Sequence, residues 1–364
     1  MESFVQFRKG ETPLHVHRDL DGLKDEELGR YGFVGRQAQL YRENDPTIYE
    51  SEGPISLTDV LVDDLRPTDL DDPDGEPLVL FFNNDVRFLL SRRSQPMPFL
   101  ARNVGGDELW FVHRGTGEFQ TEFGTIPYEP GDWVLLPKAV TYRHLPDPEM
   151  EQAFLIIEAV EEFRTPPPGV LGRHHPFDSS VAFVPEPEVH TDGGPEWRIR
   201  LTRREERGWL TYRHNPFDVR GWKGDYFPFK YNIRDYNPIG SASVHLPPTA
   251  QLFLQAQGVV VLNFLPRPAE SREGVERLPW FHRNADYDEV ALFHSGDLFG
   301  IQMPPGLISH APQGIHHGPP ERARARARRV FADYDRVNWS VMSIDCHQPL
   351  KVNPEVRAIS EEQQ

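Results

Sequence analysis

Proline is the feature that most constrains this chain. It carries 35 prolines and 28 glycines among 364 residues. A proline inside a helix removes a backbone donor and clashes with the preceding turn, so punctuation this dense leaves few windows for long helices. The stretches in between are short, rich in β-branched and aromatic residues, and closed by turn residues. They are LVLFFN (78–83), LWFVHRG (109–115), EFQTEF (118–123), WVLLP (133–137), AFLIIEAV (153–160), VVVLNFLP (259–266) and VALFHSG (290–296). Each reads as a strand. Helix is expected only around DLDGLKDEELGRY (19–31) and ERARARARRVF (321–331). The predicted class is all-β, of sandwich or barrel type.

Charge and cysteine usage narrow the function. There are 39 basic and 56 acidic residues, a net charge of −17. Nucleic acid and anionic membranes both require a basic surface, so neither is expected as a partner. The arginine run RARARARR (322–329) lacks interleaved aromatics and is read as a solvated face of a helix or strand. The single cysteine, Cys346, excludes a disulfide scaffold, suggests a reducing compartment and is read as a buried, inert thiol. No apolar stretch approaches 18 residues and the first residues lack a signal-peptide core, so a cytoplasmic protein is expected. His15 and His17 (PLHVHRD) are read as surface histidines, and His174 and His175 as loop residues.

The chain also repeats itself. Residues 101–115 (ARNVGGDELWFVHRG) and 282–296 (HRNADYDEVALFHSG) agree at six of fifteen positions at a constant offset of 181. The matches are Arg102/Arg283, Asn103/Asn284, Asp107/Asp288, Glu108/Glu289, His113/His294 and Gly115/Gly296. Two related halves are therefore expected, 1–165 and 166–364, with RTPPPGVLGRHHP (164–176) as a stiff linker. The copies differ at their first position: Ala101 stands where the second copy has His282. A half without that histidine cannot complete the same metal site, so the second half is expected to carry the chemistry.

Two imidazoles and one carboxylate form the ligand set of non-haem Fe(II) sites that keep positions open for substrate and dioxygen. His282, Glu289 and His317 supply those ligand types, two at adjoining strand ends and one from a later strand. In this reading Asp288 remains an alternative to Glu289, and His316 an alternative to His317.

The pattern His-x-Asn-x4-Glu-x6-Gly, followed by Pro-x-Gly, resembles the cupin motifs. The strings NPFDVRGWKGDYFPFKYN (215–232), SVHLPP, PWFHRNADYDEV and HHGP, with RYGFVGRQAQLYR near the start, resemble the homogentisate 1,2-dioxygenase family. The resemblance implies two cupin-like halves of jelly-roll or double-stranded β-helix type, the first degenerate, and a closed homo-oligomer. It implies an Fe(II) enzyme that uses O2 to open a hydroquinone-type aromatic such as homogentisate. It further implies iron ligands at His282, Glu289 and His317, an acid/base histidine at His245, and Arg283, Asn284, His310 and His316 beside the metal or substrate.

Three departures bear on the substrate. Leu298 stands where the family carries a tyrosine. Ala311 stands where it keeps a histidine, with His310 next door and able to replace it only across a bulge. The carboxylate follows the first ligand by seven residues rather than six. The competing expectations are a related cupin dioxygenase for another hydroxylated aromatic, and a non-catalytic two-cupin protein that binds a small ligand.

Overall fold

The computed structural model describes residues 7–30, 35–167, 177–190, 194–238, 240–243 and 250–362. Among them, α-helix is confined to Glu321–Arg329 and Pro354–Glu362, and the remaining regular structure is almost all strand. Among the described residues, no helix is long and apolar enough to cross a membrane.

The chain forms two compact units. One comprises Val60–Tyr236, Leu254–Val259 and Lys351–Gln364; the other comprises Met1–Asp59, Asn237–Phe253 and Val260–Leu350. This differs from the expected single cut after residue 165. Distant segments complete each unit's sheets. The carboxy-terminal strand Lys351–Val352 pairs with Leu78–Phe82 in the first, and the early strand Lys24–Gly29 pairs with Phe281–Asn284 in the second. The linker expected at 164–176 lies largely outside the described residues.

The first unit packs a seven-stranded sheet and a six-stranded sheet around one apolar cluster. Trp110, Val134, Phe154 and Ile156 come from one sheet, and Phe119, Ile126, Tyr128 and Tyr142 from the other. Asp132–Leu136 and Ala153–Ala159 are buried at every residue, which is why they read as continuous apolar runs rather than alternating ones.

In the second unit the larger sheet runs in the order Val259–Phe264, Ser340–Cys346, Asp288–Ser295, Leu307–Ala311. The smaller sheet places Lys24–Gly29 between Phe281–Asn284 and Gln37–Arg42. The sequence repeat is also structural. Leu100–Asn103 and Asp107–Arg114 recur as Phe281–Asn284 and Asp288–Ser295, each boundary shifted by 181 residues. The seven-residue spacing from His282 to Glu289 therefore belongs to both halves, since Ala101 and Glu108 share it.

Two local expectations are corrected. Lys24–Gly29 is a strand, not a helix. Pairing on both edges overrides the helical propensity of KDEEL. The arginine run does form the helix Glu321–Arg329, but Arg324 within it is buried rather than solvated. Its guanidinium donates to Asp25 Oδ1 at 3.2 Å and to the Pro279 carbonyl at 2.6 Å, and lies 4.0 Å from the Phe281 ring centre.

Candidate metal centre

His282 comes from the strand Phe281–Asn284, Glu289 from the strand Asp288–Ser295, and His317 from the segment that returns after Leu307–Ala311. The two histidine residues are locked side by side by a backbone bridge. His282 N donates to His317 O at 3.0 Å, and His317 N donates to His282 O at 2.9 Å. Their rings lie 3.9 Å apart. Nε2 of His282 and Nε2 of His317 stand 3.3 and 3.4 Å from the same Glu289 oxygen, Oε2.

Each imidazole is oriented from behind. Nδ1 of His282 donates to the Trp280 carbonyl at 3.3 Å, and Nδ1 of His317 donates to the Ile315 carbonyl at 3.0 Å. That leaves Nε2 of each ring facing the carboxylate, the nitrogen that a metal would take. Metal–nitrogen and metal–oxygen bonds of about 2.1 Å place neighbouring ligand atoms about 3.0–3.4 Å apart, so the observed separations fit a shared ion. This is the one His/Cys/Asp/Glu group of that kind among the described residues.

The charges agree with that geometry. Burial pushes the Glu289 carboxyl up, but the two facing imidazoles outweigh it and hold the carboxyl well below the usual range. Burial and the neighbouring His317 lower His282, keeping it neutral. Burial also acts to lower His317, and contact with Glu289 outweighs it and raises this ring.

Register separates the alternative residues. Asp288 points away from Glu289, as alternation in a strand requires. It accepts from His310 Nε2 at 2.9 Å, from the Gln313 backbone N at 3.0 Å and from the Leu350 backbone N at 2.9 Å. His316 likewise turns away from His317 and donates to Glu26 Oε1 at 2.9 Å. His310 does not substitute for the missing histidine at 311. Its strand pairs regularly with Asp288–Ser295, Glu289 opposite Ala311 and Val290 opposite His310, so no bulge turns His310 into the cavity. Arg283 also faces away and donates to Glu26 at 2.8 Å, whereas Asn284 lines the cavity. His245 lies outside the described residues.

Sequence reasoning missed several residues at this site. Glu26, with its side chain fully buried, accepts from Arg42, Arg283 and His316, and so ties the neighbours of both histidines to one carboxylate. Burial opposes its ionisation; the bond from Arg42 and the charges of His316, Arg42 and Arg283 outweigh it and keep the carboxyl low. His17 is not a surface histidine. It is buried, stacked flat on Trp280 at 4.2 Å, and its Nδ1 lies 2.7 Å from Asp25. Asp345 pairs opposite Glu289 and lines the same cavity. Burial, and then the charge of Glu289, push its carboxyl well above the usual range. The two-residue alternation Val341, Ser343, Asp345 was available as a signal.

The equivalent place in the first unit is closed by protein donors. Glu108 accepts from Asn103 Nδ2 at 2.8 Å, Trp110 Nε1 at 3.1 Å and the Tyr142 hydroxyl at 2.8 Å. His144 sits apart in the aromatic core, with Nε2 2.8 Å from the Tyr128 hydroxyl. The side chain that takes the place of a ligand histidine, Ala101, packs into that core.

Residues 94–233 match the family model for the N-terminal region of homogentisate 1,2-dioxygenase. A protein of Saccharolobus solfataricus that carries the name dioxygenase is 26% identical over 339 residues, covering 86% of each chain. The homogentisate 1,2-dioxygenase of Nitrobacter hamburgensis is 27% identical over 239 residues. These matches support a likeness to the homogentisate dioxygenase family. The alignment to the Nitrobacter enzyme takes in 61% of this chain and 51% of that protein, so this chain spans about half of it. Among solved structures, the Ylba protein of E. coli aligns with 83% of this chain and 94% of its own, at 11% identity and a TM-score of 0.40.

Proposed function

We propose that this cupin is an Fe(II)-dependent ring-cleaving dioxygenase that adds both atoms of O2 to a hydroquinone-type aromatic of the homogentisate kind. The observation that carries this reading is the convergence of His282, Glu289 and His317 on one point at the wall of a cavity of about 460 Å³. Two imidazole nitrogens and one carboxylate suit Fe(II) and leave it vertices for exogenous ligands. Fe(II) supplies Lewis acidity and redox chemistry there when bound.

The chain's own residues hold the reaction partners. Ala291, Ser309 and Ser343 follow the ligand level along the three central strands. Their small side chains leave room for a ring beside the histidines. Asn284 lines the same wall and offers an amide to a ring hydroxyl. His245, the acid/base residue that the resemblance implies, takes the phenol proton and later returns one. A second reading, a different hydroxylated aromatic, is favoured by Leu298, which lines the cavity as an apolar side chain.

The test is metal analysis and oxygen uptake on protein purified without oxygen. One iron per chain and uptake with a hydroquinone-type ring are expected. Glu289→Gln should lose the iron, and Asp288→Asn should keep it while losing stability. Iron well below half an equivalent, or full iron retention in Glu289→Gln, overturns the assignment.

A further inference from the structure

The three central strands line the cavity in levels. Glu289, Ala311 and Asp345 share the level of the metal ligands. Ala291, Ser309 and Ser343 form the next, about 7 Å further along at two residues per level. Phe293 and Val341 are paired on the third, joined by Leu307, about 13 Å from the ligand level. Polarity falls in that order: ligands, then two hydroxyls and a methyl, then only hydrocarbon. Leu262, Phe264 and Leu298 add further hydrocarbon to the lining.

Charge points the same way. The described lining offers a substrate anion no buried cation: its acidic side chains are Glu27, Asp59, Glu289 and Asp345, and its one Lys or Arg is the exposed Arg322. A carboxylate carried inward would face hydrocarbon and lose its hydration without a partner, a heavy cost.

We infer that the substrate ring carries an uncharged apolar substituent, which lies against Phe293, Leu307 and Val341 while the hydroxylated edge faces His282, Glu289 and His317. This rests on the ring-cleavage reading and specifies its substrate class. The small middle level takes the ring, and the third level takes the tail.

Binding and turnover separate the two claims. Iron-loaded full-length protein is titrated under argon with hydroquinone, methyl-, ethyl- and propylhydroquinone, and homogentisate. Quenching of tryptophan emission reports binding, since Trp280 and Trp339 line the cavity. Air is then admitted and oxygen uptake followed. Affinity is expected to rise roughly fourfold per methylene, with propylhydroquinone at least tenfold tighter than homogentisate. Val341→Phe should weaken propylhydroquinone tenfold and leave hydroquinone unchanged; if that variant does not fold, the wild-type series decides alone. Arg322→Ala should leave propylhydroquinone unaffected. Homogentisate binding as tightly as propylhydroquinone, flat affinity along the series, or no binding of any alkylhydroquinone overturns the inference. The predicted binding order without oxygen uptake supports the apolar subsite and overturns the dioxygenase reading instead.

Discussion

Replacing Glu26 with glutamine keeps the shape of the side chain and removes its charge. In the native site the buried carboxylate accepts from Arg42, from Arg283 at 2.8 Å and from His316 at 2.9 Å. Hydrogen bonds to a charged group contribute about 1.5–3 kcal/mol each. The partner side chains are 38%, 28% and 23% exposed and can turn to water. The combined loss is therefore discounted to about 2–3 kcal/mol. At about 2–4 °C per kcal/mol for a unit of this size, the midpoint should fall about 5–10 °C.

A second effect distinguishes positioning from mere support. Arg283 and His316 each adjoin a histidine of the triad, so loosening them should let both imidazoles reorient. Metal affinity should then fall about 10–100-fold, as it does when groups behind metal ligands are removed. Iron affinity by chelator competition and melting of the metal-free protein should be measured on one preparation. A lowered midpoint with iron affinity within twofold of wild type would refute the positioning role and leave Glu26 a structural anchor.

Two further outcomes are expected. His245→Ala should retain iron near wild-type occupancy while ring cleavage falls about 10²–10⁴-fold; loss of iron would make His245 a ligand, and unchanged turnover would make it structural. His294 is pushed down to about 4 by burial, so it stays neutral in the folded chain where an unfolded histidine charges near 6.5. Its contribution is present above pH 6.5 and lost as pH falls, amounting to about 2 kcal/mol by pH 5. Urea midpoints at pH 7 and pH 5 should therefore separate more in the wild type than in His294→Asn, and equal separations would refute this account.

Much of the molecule was legible from residue order alone. Dense proline and glycine, with β-branched runs between them, determined an all-β chain, because turn chemistry and strand alternation act over a few residues. The 181-residue repeat located two equivalent pairs of consecutive strands, and the exchange of His282 for Ala101 marked the half in which His282, Glu289 and His317 converge. Spacing narrowed the ligands to adjacent pairs, Asp288 or Glu289 and His316 or His317, and could go no further. Only strand pairing shows that Glu289 and His317 converge with His282, since a single residue of register reverses which face a side chain joins. The same pairing made a strand of KDEELG, buried Arg324 and His17 against expectation, and turned His310 away from the cavity. Glu26 and Asp345 lie 263 and 56 positions from Glu289 along the chain. No local pattern links such residues; tertiary pairing brings Asp345 opposite Glu289 and Glu26 behind the neighbours of both histidines.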